Sequence, residues 1–213
     1  MRHVGQAGYP VPAVYDTDGT DLVMERLDGT DMLAAIVQRP WTVRRHARTL
    51  ADLHNRLHEI PAPPGWRTGH GDKVVHMDLH PANVMLTSRG PVVIDWPNAH
   101  AGSPGADVAM AYLLMTTSDL DLVPLWLRPA ATWLRHVLVQ EFLRGVRDEP
   151  WAYVAVTAEA RLADRNTRPS EVPRLHRAVQ RAAGAYPREA DGHVPGSKGG
   201  GGNGRVDPEQ DAG

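Results

Sequence analysis

Asp78, Asn83 and Asp95 are the residues of this chain whose types and spacing are best suited to chemistry. Asp78 and Asn83 flank a tight loop containing Pro81 that follows the apolar pair Val74-Val75. Asp95 ends the next apolar run, Val92-Val93-Ile94, beyond a turn around Gly90. Two carboxylates and an amide at the ends of two apolar strands suit phosphoryl transfer. One carboxylate can orient an attacking hydroxyl and accept its proton, while two oxygen ligands hold magnesium on a triphosphate. Taken singly the parts are ordinary, since an aspartate after an apolar strand is commonly a turn former. Their joint spacing is what points to this chemistry.

His76-x-Asp78-x-x-x-x-Asn83 and Ile94-Asp95-Trp96 resemble the catalytic loop and metal-binding segment of the aminoglycoside phosphotransferase family, the small-molecule branch of the protein-kinase-like fold. Ala99-x-x-Gly102-x-Pro104-x-x-Asp107-Val108-Ala109 resembles the stretch in which a buried aspartate of that family braces the catalytic loop. The resemblance covers residues 8 to 145. It implies an α+β, protein-kinase-like fold with a mostly helical C-terminal lobe, and an ATP- and magnesium-dependent transfer of phosphate to a hydroxyl of a small molecule. By the same resemblance Asp78 is the catalytic base, Asn83 and Asp95 are the magnesium ligands, and His80 stands where related kinases place a phosphate-contacting cation. Met24, Glu25 and Leu27 would lie in the hinge, the adenine being read by the Glu25 carbonyl and the Leu27 amide. From the residues alone His80 is equally a loop hydrogen-bonding residue, and Met24 to Gly29 is equally a strand end with a turn.

Competing readings use some of the same residues. His70-Gly71-Asp72 spells the family's commonest triplet, but Met77 lies five residues beyond Asp72 and cannot ligate magnesium, so the loop is His76 to Asn83. His76, Asp78 and His80 alternate and could share a strand face as ligands of a metal-dependent hydrolase, which would leave Asn83 and Asp95 without a role. His76 is read as packing beneath the loop, and His54 and His58 as partly exposed helical residues. A catalytically inactive kinase-like module that binds a ligand or partner also stays open.

Composition narrows the class. A chain of 213 residues that is 42% hydrophobic can bury one good core or a core with an appended element. A net charge of -2 gives no reason to expect nucleic acid or an anionic membrane as partner. The absence of cysteine excludes thiol chemistry and disulfides and fits a reducing compartment. The N-terminus carries no apolar stretch of signal-peptide length, and the longest apolar run, Val108 to Met115, is too short to span a bilayer. The expectation is a cytoplasmic enzyme.

Several elements must position the site. Val11 to Tyr15 and Leu22 to Met24 should form a hairpin around Asp16-Thr17-Asp18-Gly19. Trp41 to Glu59 carries Ala47, Leu50, Ala51, Leu53 and Leu57 at helical spacing and is stopped by Pro61, Pro63 and Pro64. After the two catalytic strands, helices are expected over Asp107 to Met115, Pro124 to Val146 and Trp151 to Asp164, with a last one from a Ser170 cap to Ala183. Residues 186–213 include four consecutive glycines and few apolar side chains, which predicts a disordered tail.

The expected organisation is a remnant of an N-terminal lobe and hinge over residues 1–29, a helical catalytic lobe over 30–185 and the tail. Relatives begin with a small lobe whose glycine-rich turn and strand lysine clamp the phosphates. Only 23 residues precede Met24, and Gly5-Gln6-Ala7-Gly8 is not that turn. The missing strands and helix would need roughly 50 more residues. The two lysines, Lys73 and Lys198, are unsuited to the clamp. The chain as given is therefore expected to transfer phosphate poorly or not at all. Glu141, Asp148, Glu149, Glu159 and Asp164 alternate with arginines, so a strongly anionic acceptor site is not indicated. Trp126, Trp133 and Trp151 are read as core residues before cation-binding ones.

Overall fold

The computed structural model describes residues 1–19, 21–66, 71–119, 123–164 and 167–185. The tail over 186–213 and His70 lie outside the described residues.

A short helix, α1 (Arg2–Gln6), buries Val4, and Gly8 at φ +78° turns the chain into an extended segment. Two bonds fasten that segment to the body of the molecule. The Tyr9 hydroxyl donates to the Leu53 carbonyl at 3.0 Å, and the Val93 N–H donates to the Pro10 carbonyl at 2.8 Å. The hairpin follows, with β1 (Val14–Asp18) antiparallel to β2 (Asp21–Met24) and a register shift between Val14 and Asp16. The first strand thus runs through Asp16 to Asp18, which the sequence assigned to the turn. Nearly every side chain of both strands is exposed, so no buried face fixed that register.

Two further small sheets frame the loop. β3 (Gly29–Asp31), β5 (Val84–Thr87) and β6 (Gly90–Val93) form an antiparallel sheet in the order β3-β5-β6. β4 (Lys73–Val75) pairs with β7 (His100–Gly102), setting Val74 opposite Ala101. Asp31 caps the next helix, α2 (Met32–Gln38), its carboxylate accepting the Ala34 N–H at 2.8 Å. That cap fixes where α2 starts, directly against the 3-10 turn Pro81–Asn83.

The remaining mass is helical: α3 (Val43–Leu57), α4 (Pro104–Thr117), α5 (Arg128–Gly145), α6 (Val154–Ala163) and α7 (Val172–Ala185). The apolar stripe of α3 is buried as its spacing requires and packs on α5. The crossing is close, because a Cβ on Gly145 would lie 2.7 Å from that of Ala51. α4 is buried on almost every side from Gly105 to Met115, the pattern of a central helix. No helix of the described residues is long and apolar enough to cross a membrane.

Three expectations change. His54 and His58 are buried, at 0% and 6% exposure, because α3 is covered by α5 on one side and by the start of α4 on another. Ser170 does not cap α7, which begins at Val172; its hydroxyl donates to Asp119 at 2.8 Å. Trp126 and Trp133 are 78% and 61% exposed, while Trp151 packs edge-on against Tyr112 as a core residue.

Candidate active site

The loop is positioned from beneath. β4 ends at Val75, and Met77 takes a left-handed conformation at φ +61°, which reverses the chain. Asp107, in the first turn of α4, holds that reversal. Its two carboxylate oxygens accept the backbone N–H groups of His76 at 3.0 Å and of Met77 at 2.7 Å. The His76 ring is fully buried, packs at a tilt against Trp96 with ring centres 4.6 Å apart and has Nε2 3.1 Å from the Ile94 carbonyl. It is therefore a packing residue under the loop. The alternation of His76, Asp78 and His80 does not converge on a metal, and no cluster of three ligating side chains occurs among the described residues.

His58 completes this base. Its Nε2 lies 3.0 Å from Asp107 Oδ2 and its Nδ1 lies 3.0 Å from Asp148 Oδ2. Ionised carboxylates only accept, so both ring nitrogens donate and the ring is an imidazolium. Burial opposes that charge, but the hydrogen bonds and charges of Asp107 and Asp148 outweigh it and raise the His58 pKa. For Asp107 burial likewise favours the neutral form, and the bonds and charges of His58 and its neighbours instead hold the carboxyl well below the usual range. His54 is the contrast. Burial drives its pKa down to about 4, and its Nδ1 is 2.9 Å from the Leu50 carbonyl. The sequence held no signal for the His58 role beyond an acid-poor helix face bearing two histidines four residues apart.

Above the brace, the 3-10 turn Pro81–Asn83 brings the polar groups together. The Asn83 Nδ2 donates to the Asp78 carbonyl at 2.8 Å, which leaves the amide oxygen directed away from that bond. The Ile94 N–H donates to the Asn83 carbonyl at 3.0 Å and so ties the segment Ile94–Trp96 to the loop. Asp95 follows at φ +66° and is exposed. Its charge acts on Asp78: burial pushes the Asp78 pKa up to about 6, and the Asp95 carboxylate adds to that shift against the pull of Arg161. His80 lies beside this pair, Nε2 at 3.6 Å from Asp78 Oδ1. Its Nδ1 accepts the Ala82 N–H at 3.3 Å, which fixes the proton on Nε2 in a neutral ring. Burial, aided by His76, lowers its pKa to about 4. His80 is thus a neutral donor facing Asp78, where the resemblance implied a cation.

At the expected hinge, Met24 ends β2 and is exposed, while the Glu25 carboxylate accepts the Ala13 N–H at 3.1 Å and pairs with Arg89. The Glu25 carbonyl and the Leu27 amide make no hydrogen bond with the described residues.

Of the acids that alternate with arginines after α4, Glu141 is buried and held by Arg44, Arg48 and Arg144, and Asp148 is held by His58. The cavity beside the loop, about 400 Å³, is lined instead by Asp119 and Glu171 with Arg135 and Arg161, set in apolar walls from α2, α4 and α5.

An Asp-x-x-x-x-Asn loop braced by a buried aspartate thus sits within an α+β fold dominated by helices. The sequence pattern of the family described as phosphotransferase enzymes matches residues 66–138, a span that contains Asp78, Asn83, Asp95 and Asp107. Streptomycin 6-kinase from Streptomyces griseus is 28% identical over 134 residues, the match covering 44% of this chain and 42% of that protein. The chain thus spans less than half the length of that relative. A crystal structure of an aminoglycoside-3'-phosphotransferase of type VIII is similar over 85% of this chain and 77% of its own, at 20% identity and a TM-score of 0.47. Over residues 66–138 the chain is therefore similar to the phosphotransferase enzyme family.

Proposed function

We propose that this chain catalyses, or contributes the catalytic lobe for, transfer of the γ-phosphoryl group of ATP to a hydroxyl of a small molecule. The observation that supports this reading is the joint setting of Asp78, Asn83 and Asp95: the Asn83 amide bonds the Asp78 carbonyl, the Ile94 N–H before Asp95 bonds the Asn83 carbonyl, and the Asp95 charge acts on Asp78. Asp78 accepts the acceptor hydroxyl's proton and aligns its oxygen. A carboxylate with a pKa near 6 is a stronger base than an ordinary surface aspartate and is still ionised at neutral pH. His80 Nε2–H, beside it, is a positioning donor for that carboxylate or the attacking oxygen.

Asn83 and Asp95 fit magnesium by the chemistry of their donors. An amide oxygen oriented by its own N–H bond and an exposed carboxylate are hard ligands of the kind this ion takes, with phosphate oxygens and water completing the shell. Magnesium, when bound, would neutralise charge on the phosphates. The Glu25 carbonyl and Leu27 amide, both open, would read the adenine at the hinge. We further propose that residues 1–29 carry this hinge side and residues 30–185 the metal and acceptor side.

The test combines binding with turnover. Magnesium-dependent binding of ATP that is lost in Asp95→Ala, and ADP release that requires an alcohol acceptor and is lost in Asp78→Asn, are the expected results. The acceptor panel includes streptomycin, the compound named for the relative. Nucleotide binding that is indifferent to both magnesium and Asp95 would overturn the reading and favour a ligand-binding module without catalysis.

A further inference from the structure

We propose that the acceptor is an uncharged alcohol on a largely apolar skeleton, seated in the cavity between α2, α4 and α5 with its hydroxyl towards Asp78. This rests on the phosphotransferase reading and names the substrate class of that same site.

Location is the first argument. His80 and Pro81, from the loop itself, form one wall of the cavity, and Arg161 forms another. His80 Nε2 is 3.6 Å from the Asp78 carboxylate, and the Arg161 charge acts on Asp78 as well. A molecule filling the cavity therefore touches His80, the immediate neighbour of the proposed base. A volume of about 400 Å³ suits a compact, drug-sized ligand.

Wall chemistry is the second. Leu33 and Val37 on α2, Met115 on α4, and Leu134 and Leu138 on α5 face the space. Leu33 and Val37 remain 45% and 64% exposed, although apolar surface left in water forgoes about 25 cal/mol per Å². A ligand with an apolar body would cover that surface.

Charge is the third. The charged lining side chains among the described residues are two arginines, Arg135 and Arg161, and two acids, Asp119 and Glu171. Among the described residues the arginines and acids balance, and all four are engaged within the chain. Arg135 donates to the carbonyls of Thr116 and Ser118, Arg161 pairs with Asp164 and Glu171, and Asp119 pairs with Arg174. His80 adds no charge, since its Nδ1 accepts a backbone N–H. A polycationic amino sugar would lose its hydration against these walls without gaining a surplus of carboxylates, and burying an uncompensated cation is costly. An uncharged alcohol loses little.

The experiment is calorimetric binding to the 213-residue chain without nucleotide, using chloramphenicol as a neutral aryl diol, a hydroxylated macrolactone aglycone, and streptomycin. At least one neutral alcohol should bind below about 1 mM and about tenfold or more tighter than streptomycin. Val37→Asp, at an exposed position where folding should be unaffected, and Leu134→Asp should each weaken the neutral ligand at least about tenfold, with the folded state checked by circular dichroism. No neutral ligand below about 1 mM, tighter binding of streptomycin, or neutral binding indifferent to Val37→Asp would each overturn the proposal. Magnesium-dependent ATP binding, measured in parallel with Asp95→Ala, separates the two readings. Absence of that binding from the parent chain, or its persistence in Asp95→Ala, with alcohol binding intact removes the kinase reading alone, and Asp95-dependent ATP binding without alcohol binding removes the acceptor class alone.

Discussion

The Asp107 carboxylate accepts the backbone N–H of Met77 at 2.7 Å, and Met77 is one of only two non-glycine residues among those described with a positive φ. The left-handed region costs an L-residue about 1–2 kcal/mol, so the loop that presents Asp78 is held in its turn by a charge-assisted bond from the next helix. Asp107→Asn turns an acceptor into a group that must present N–H to N–H and leaves the His58 imidazolium short of one partner. The variant should lose about 3–5 kcal/mol of stability in urea unfolding. A midpoint equal to that of the parent would show that other contacts hold Met77.

The buried pair makes stability depend on pH in a definite direction. The folded His58 pKa is raised, so its contribution is complete below the unfolded value, about 6.5, and is lost as pH rises through the folded value. The folded Asp107 pKa is depressed, so its contribution is present above the unfolded value, about 3.9, and is lost as pH falls through the folded one. The melting temperature should therefore be highest between about pH 4 and 6.5 and decline on the alkaline side. His58→Gln should flatten that alkaline limb while lowering the whole curve; an unchanged limb would move the effect to another group.

Asp95 separates function from backbone strain. Asp95→Ala and Asp95→Gly should both abolish magnesium-dependent nucleotide binding in an equilibrium binding assay. Because Asp95 sits at φ +66°, the glycine variant should be the more stable of the two by about 1 kcal/mol in the same unfolding assay. Equal stability would mean that the left-handed conformation relaxes when the carboxylate is removed.

Asp78→Asn keeps the shape and the Asn83 bond to the residue 78 carbonyl but removes the proposed base. Turnover should fall by about 10²–10⁴ with acceptor and nucleotide affinities within about threefold of the parent. A comparable loss of nucleotide affinity would instead place Asp78 among the metal ligands.

Local pattern determined a good deal here. The spacing of Asp78, Asn83 and Asp95, the stripe of α3 and the apolar run of α4 are each set by residues near one another in the chain, and their structural consequences follow from helix and strand periodicity. Strand register in the exposed hairpin was not legible, because neither face of β1 or β2 is buried and nothing in the pattern distinguishes one pairing from the next. The same limit applied to charge. His58 looked like any helical histidine, and only the packing of α3 against the starts of α4 and of the segment after α5 brought Asp107 and Asp148, 49 and 90 residues away, onto its two nitrogens. Likewise the arginines and acids after α4 could be counted in the sequence, but which of them neutralise one another and which line the cavity depended on distances between helices. A hydrogen bond or ion pair acts over a few ångströms, and only the tertiary structure brings residues so far apart in the chain to that range.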